Sequence, residues 1–114
     1  MAGTATKDRN EWTPMLDQLS REHEGDSVRI EVVDPTYGDH PEVERLPFSY
    51  ASYDPKDDVV IVAVGGRSER YPVVLRHMIS HPAEVDATQD VPVALRVVDD
   101  DGTITLVSFE SDGS

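Results

Sequence analysis

Six consecutive apolar residues, VVIVAV from Val59 to Val64, constrain this chain more than any other feature. Five of the six are β-branched, a composition that suits an extended backbone better than a helix. A strand of that kind needs both faces covered, by a barrel interior plus a helix or by a neighbouring subunit. The run passes straight into Gly65-Gly66-Arg67, and a second strand-like segment ending HMISHP follows. Between Arg67 and His81 the bases and imidazoles gather, as Arg67, Arg70, Arg76, His77 and His81 against one acid, Glu69. A working surface is expected there first.

Around that strand the pattern changes twice. Trp12, Met15, Leu16, Leu19 and His23 fall at offsets of 3, 4, 7 and 11, which is one stripe of a helix. Asp8 with Glu11 offers a capping box, Thr13-Pro14 offers a later start, and Gly25 stops the helix. SVRIEVV then alternates Val28, Ile30 and Val32 against Arg29 and Glu31, the period of a half-buried strand. The segment Asp34 to Arg45 carries two prolines and a glycine among acids and reads as a loop. LPFSYASY resumes strand character, and Asp54-Pro55-Lys56-Asp57 has the chemistry of a turn into the apolar run. YPVVLRHMIS reads as a strand by the alternation of Val73, Leu75, His77 and Ile79, with a short helix from Pro72 as the competitor. VPVALRVV and TITLVSF flank Asp99-Asp100-Asp101-Gly102, a hairpin turn.

These elements predict a mainly β domain of the α+β class, an N-terminal helix followed by five to six antiparallel strands in a small, partly closed barrel or curled sheet. The helix would cover an open end or one face, with Trp12 as its plug. The 114 residues suit a single domain, with a flexible lead over 1–8, helix over 9–24, antiparallel strands over 27–109 and a frayed tail over 110–114. Cysteine is absent, so disulfides, thiolate metal sites and a cysteine nucleophile are excluded. No run reaches the roughly 18 apolar residues of a membrane helix. MAGTATKDRNEW lacks the apolar middle of a secretory signal, which predicts a soluble, cytoplasmic protein.

The helix EWTPMLDQLSREHEG, the segment RLPFSY, the run VIVAVGG, HMISHP and the closing DDDGTITLVSF together resemble the bacterial and archaeal domain-of-unknown-function 5335 family. The likeness follows nearly the whole chain in order and spacing, through Trp12, His23 with Gly25, Leu46-Pro47, Gly65-Gly66, His77, Ile79 and Pro82. The chain departs from that pattern at Pro14, where the family continues a good helix former. The resemblance implies no activity, cofactor or catalytic residue.

Charge narrows the partners. The chain holds 23 acids against 10 Lys plus Arg, a formal net charge of −13. That field repels phosphate backbones and anionic headgroups, so neither nucleic acid nor membrane is an expected partner. His77 and His81 stand four apart, which places two metal ligands on one face of a helix but about 13 Å apart on a strand. The pair is therefore a weak metal candidate, and His77 reads better as an inward residue bonded to backbone. His23 suits a helix-end cation. The three aspartates could supply oxygens to calcium, but DDDGTIT lacks the later ligands of a calcium loop, and Asp-Gly is what a tight turn requires. No phosphate loop or serine elbow is present, and no cofactor is implied. Gly65-Gly66 reads as a bulge or turn needing positive φ.

Three function classes follow. The first is a non-enzymatic binding module that presents Gly65, Gly66, Arg67, Arg70, Arg76 and His77 on a hairpin to a small anionic ligand or a protein partner. The second is a structural homo-oligomer that pairs through VVIVAV or an open sheet edge. The third is a small metal- or histidine-dependent enzyme using His77.

Overall fold

The structure is a computed structural model that describes residues 9–36, 38–66, 74–88 and 93–110, and of 39–44 the backbone alone. One helix, α1 (Arg9–His23), precedes seven strands: β1 (Ser27–Asp34), β2 (Gly38–Asp54), β3 (Val59–Gly65), β4 (Val74–Ser80), β5 (Pro82–Ala87), β6 (Ala94–Asp99) and β7 (Ile104–Glu110). All pair antiparallel in the order β4-β3-β2-β1-β7-β6-β5. The class is α+β and mainly β, as the alternation in the sequence predicts.

The strands depart from expectation in two places, β5 being an added strand and β2 longer than expected. The segment expected to be a loop, from Asp34 to Arg45, is mostly strand, because β2 runs for 17 residues and pairs His40, Pro41 and Val43 with β1. Its prolines mislead because β1 and β2 slip register twice, between Val28 and Arg29 and between Ile30 and Glu31, and an irregular ladder tolerates a residue without an N–H. Pro82 hides β5 in the same way. It opens an edge strand, where no ladder donor is required of it.

The sheet does not close into a barrel. Its two edges are β4 and β5, yet one residue, His81, joins them in the chain. A sheet whose opposite edges are neighbours in sequence must curl until those edges meet, and here they meet at one corner without forming a ladder. The first part of β2 pairs with β1 and the last part, from Phe48, with β3. This leaves the second half of β2 with a free side, and α1 lies along it. Ser20 completes the backbone there. Its hydroxyl accepts from Ala51 N (2.9 Å) and shares its one proton between the carbonyls of Ala51 (3.0 Å) and Leu16 (2.8 Å).

Trp12, Leu16 and Leu19 are the buried stripe of the helix, and they join Ile30, Phe48, Val62, Leu95 and Val107 in one core. Trp12 is 1% exposed and meets Tyr53 edge to face at 5.0 Å, which makes it the plug that the stripe predicts. The helix starts at Arg9 and so takes the earlier of the two starts, with Pro14 inside it. A start at Thr13 would leave Trp12 outside the helix and the core without its largest side chain. The capping residue Asp8 lies outside the described residues. His23 ends the helix as expected, with Nδ1 2.9 Å from Asp26 Oδ2 and its ring stacked on Phe109.

Val60, Val62 and Val64 of β3 face the core, while Ala63 on the other face sits between Tyr50 and Arg76 in the ladder. Arg76 Nε donates to Tyr50 Oη at 3.2 Å across Ala63, so both faces of the apolar run are covered from within one chain. Residues 84 to 114 carry a single base, Arg96, and it bridges Glu84 (3.1 Å) and the buried Asp86 (2.6 Å).

Candidate functional site

The corner where the sheet edges meet gathers residues from four parts of the chain. Asp58 ends the β2–β3 turn, His81 is the single residue between β4 and β5, Asp99 to Asp101 form the β6–β7 turn, and Arg9 opens the helix. Two backbone bonds tie the corner together: His81 N donates to Asp58 O (2.8 Å), and Asp100 N donates to His81 O (3.0 Å). Asp58 and His81 both hold positive φ, 54° and 56°, in a conformation that non-glycine residues adopt only when their surroundings impose it.

The Asp58 carboxylate is the hub. Tyr53 Oη donates to its Oδ1 at 2.7 Å, Arg9 Nη1 donates to the same oxygen at 3.1 Å, and His81 Nδ1 stands 3.3 Å from Oδ2. Arg9 Nη2 also donates to Pro82 O (3.1 Å), and its guanidinium lies over the Trp12 ring at 4.8 Å. The Tyr53 hydroxyl, followed by His81 and Arg9, holds the Asp58 carboxyl below the ordinary aspartate range. Burial, then the neighbouring carboxylate, pushes the Tyr53 hydroxyl up. A hydrogen bond from His81 to a carboxylate requires the Nδ1–H tautomer or the cation, and in the neutral ring it leaves Nε2 with its lone pair. The hub's first effect is mechanical. It locks the helix start, the β2–β3 turn and the β4–β5 corner to one another.

Beside the hub lies a cleft of about 370 Å3. One wall is β4 and the corner, from His77 to His81; the other is the Asp99 to Asp101 turn with Val32, Thr103 and Thr105. The turn is the hairpin that Asp-Gly predicts, with Gly102 at φ 87° and Asp99 Oδ1 accepting from the amides of Asp101 (2.9 Å) and Thr103 (3.0 Å). The carboxylate oxygens of Asp99, Asp100 and Asp101 lie within 4.8 Å of one another. His77 and His81, the metal candidates from spacing, line the same cleft but do not join that group.

The hairpin expected to carry the working surface is described in part. Val74–Ser80 is a strand, which settles the choice between strand and helix. Gly65 and Gly66 both take positive φ, 82° and 76°, and a Cβ on Gly66 would overlap Val74 Cγ2, so the turn needs glycine there for space as well as conformation. Arg67 and Arg70 lie outside the described residues. Arg76 is exposed on the outer face, and His77 is half-buried on the inner one, across from Val62. Leu75 (50% exposed) and Met78 (57%) are the large exposed apolar side chains among the described residues, and both belong to β4. Sequence reasoning missed Arg9, Tyr53 and Asp58, because each sits in a helix start, strand end or turn where its residue type is unremarkable.

A curled antiparallel sheet with one helix laid along the free side of a long central strand defines a mainly β domain of the α+β class. The chain belongs to a family of unknown function (DUF5335), whose model matches residues 4–114. It is 34% identical over 97 residues to an uncharacterised protein of Aquifex aeolicus, across 83% of this chain and 81% of that one. No solved structure matches. Among the described residues no helix is long and apolar enough to cross a membrane.

Proposed function

We propose that the protein is a non-enzymatic binding module that uses the β3–β4 hairpin to take an acidic segment of a protein partner. The observation that carries this reading is the composition of β4. Among the described residues it is an edge strand with one side unpaired, and it exposes Leu75 and Met78 on either side of Arg76 in the sequence. An exposed edge offers backbone donors and acceptors to an added strand, apolar side chains supply area, and arginine pairs carboxylates bidentately. Arg67 and Arg70 precede the strand in the sequence and add two positive charges to it on a chain of net charge −13. A partner segment rich in acids meets its counter-charge there and repulsion elsewhere.

Pull-down from a lysate of the parent source with wild-type protein and an Arg70→Ala/Arg76→Ala variant tests the reading. Loss of a retained protein, with the melt of the variant within about 1 kcal/mol of wild type, is the expected result. An identical set of retained proteins sinks it. The same unpaired edge supports a second reading, self-association through β4. Mass measurement in solution separates the two, since a monomer removes the second.

A further inference from the structure

We propose that the acidic segment taken by the β4 edge is the β5 edge of a second copy of this chain, so that the sheet of one molecule continues into the next. This pairing rests on the reading of β4 as an edge that takes an acidic segment, and gives that segment an identity. Among the described residues β4 and β5 are the two unpaired edges of the sheet, and they match in length, seven residues against six. Their charges are opposite. VLRHMIS holds an arginine, a histidine and no acid, while PAEVDA holds Glu84, Asp86 and no base. The faces match as well. Leu75 and Ile79 of β4 stand opposite the core residues Val64 and Val60, which puts Arg76 and Met78 on the outer face. Val85 of β5 belongs to the core, which puts Glu84 and Asp86 on the outer face. Joined edges therefore set Arg76 beside acids on one face and apolar side chains beside apolar ones on the other, the cross-strand neighbours that stabilise a ladder.

An independent feature of β5 calls for positive charge. Asp86 is 3% exposed; its Oδ2 accepts from Arg96 at 2.6 Å, but its Oδ1 is buried with no hydrogen-bond partner. The same Arg96 nitrogen also serves Glu84, so one cation answers two carboxylates. A buried carboxylate oxygen left unanswered is costly, and a guanidinium laid against the edge offsets that cost across surroundings that screen charge poorly. The contact uses a different edge on each copy and is therefore head-to-tail. Each pair leaves one β4 and one β5 edge open to further copies.

The test is the mass of the full-length protein by sedimentation, from micromolar to millimolar concentration, in about 0.15 M NaCl, where the net repulsion reaches only about 8 Å. Arg76→Glu and Glu84→Lys each reverse one charge, on β4 and on β5. Ala83→Lys, at an exposed position, blocks the β5 edge while leaving the pair of Arg96 with Glu84 in place. A wild-type mass that climbs above the monomer, and association at least about tenfold weaker in each variant alone, are the expected results. Mixing Arg76→Glu with Glu84→Lys should then recover assembly, because the mixture restores one native contact between β4 and β5. Recovery also shows that both variants fold. A wild type that stays monomeric overturns the pairing; so does unchanged association of either β5 variant, or a mixture that fails to recover. A monomeric wild type that still loses a lysate protein on Arg70→Ala/Arg76→Ala overturns the choice of segment and leaves the β4 reading standing. A monomer whose retained proteins are unchanged by that variant removes both.

Discussion

Asp58 is the residue on which the corner turns. Its carboxylate is held below the ordinary aspartate value of 3.8 by the Tyr53 hydroxyl first, and then by His81 and Arg9. A carboxyl whose folded value is depressed contributes stability that is present above 3.8 and disappears as pH falls through the folded value. Urea melts taken from about pH 6 down to about pH 2 should therefore show an acid limb that is shallower in Asp58→Asn. A limb of unchanged steepness would assign the acid loss to other carboxylates. The alkaline side mirrors this, since Tyr53 is raised above 10.0 and the bond it donates is lost once pH climbs through its folded value. Nothing in the residues near Asp58 announces this role. An aspartate in a Pro-Lys-Asp-Asp turn is ordinary, and only the curl of the sheet brings Arg9 and His81 to it.

Among the elements, α1 is the clearest case of tertiary packing overriding local preference. Pro14 lies five residues inside the helix start, past the first turn where proline is tolerated, and it removes one N–H donor from the helix. The helix forms through it because Trp12, Leu16 and Leu19 fill the core and Ser20 completes the free side of β2. Pro14 is exposed and takes no part in that core. Pro14→Ala should therefore stabilise the protein by about 1 to 3 kcal/mol, the helix-interior penalty less the stiffness proline lends the unfolded chain. A chemical melt measures it, and a destabilised variant would mean that the proline ring is itself required at that position. The β2 strand makes the opposite point. Its first half has loop chemistry, and it is held in the sheet by pairing with β1, an interaction between segments that no single stretch of sequence displays.

At the scale of the whole molecule, net charge sets the balance. A formal charge of −13 on 114 residues makes the folded state repel itself, while the ion pairs of Arg9 with Asp58, Arg29 with Glu31 and Arg96 with Glu84 are partly solvent-exposed and individually small. Salt screens long-range repulsion over a Debye length that falls from about 30 Å at 0.01 M to about 3 Å at 1 M. The melting temperature should rise with NaCl across that range. A flat or falling trend would show that the close pairs outweigh the general field.

The sequence by itself determined which segments bury. The helix stripe through Trp12, the two-sided strand VVIVAV, the Asp-Gly hairpin and the two glycines after Val64 are each visible because their periodicity or backbone demand is local. The first half of β2, the strand β5 and the corner site were decided by tertiary structure alone. Prolines stand in both strands where sequence rules place loops, and only the slipped ladder of β2 and the edge position of β5 make them tolerable. The corner brings together residues 9, 58, 81 and 100, which share no spacing a sequence could display. They meet because opposite edges of the sheet are joined by one residue, and that closure is a property of the assembled sheet.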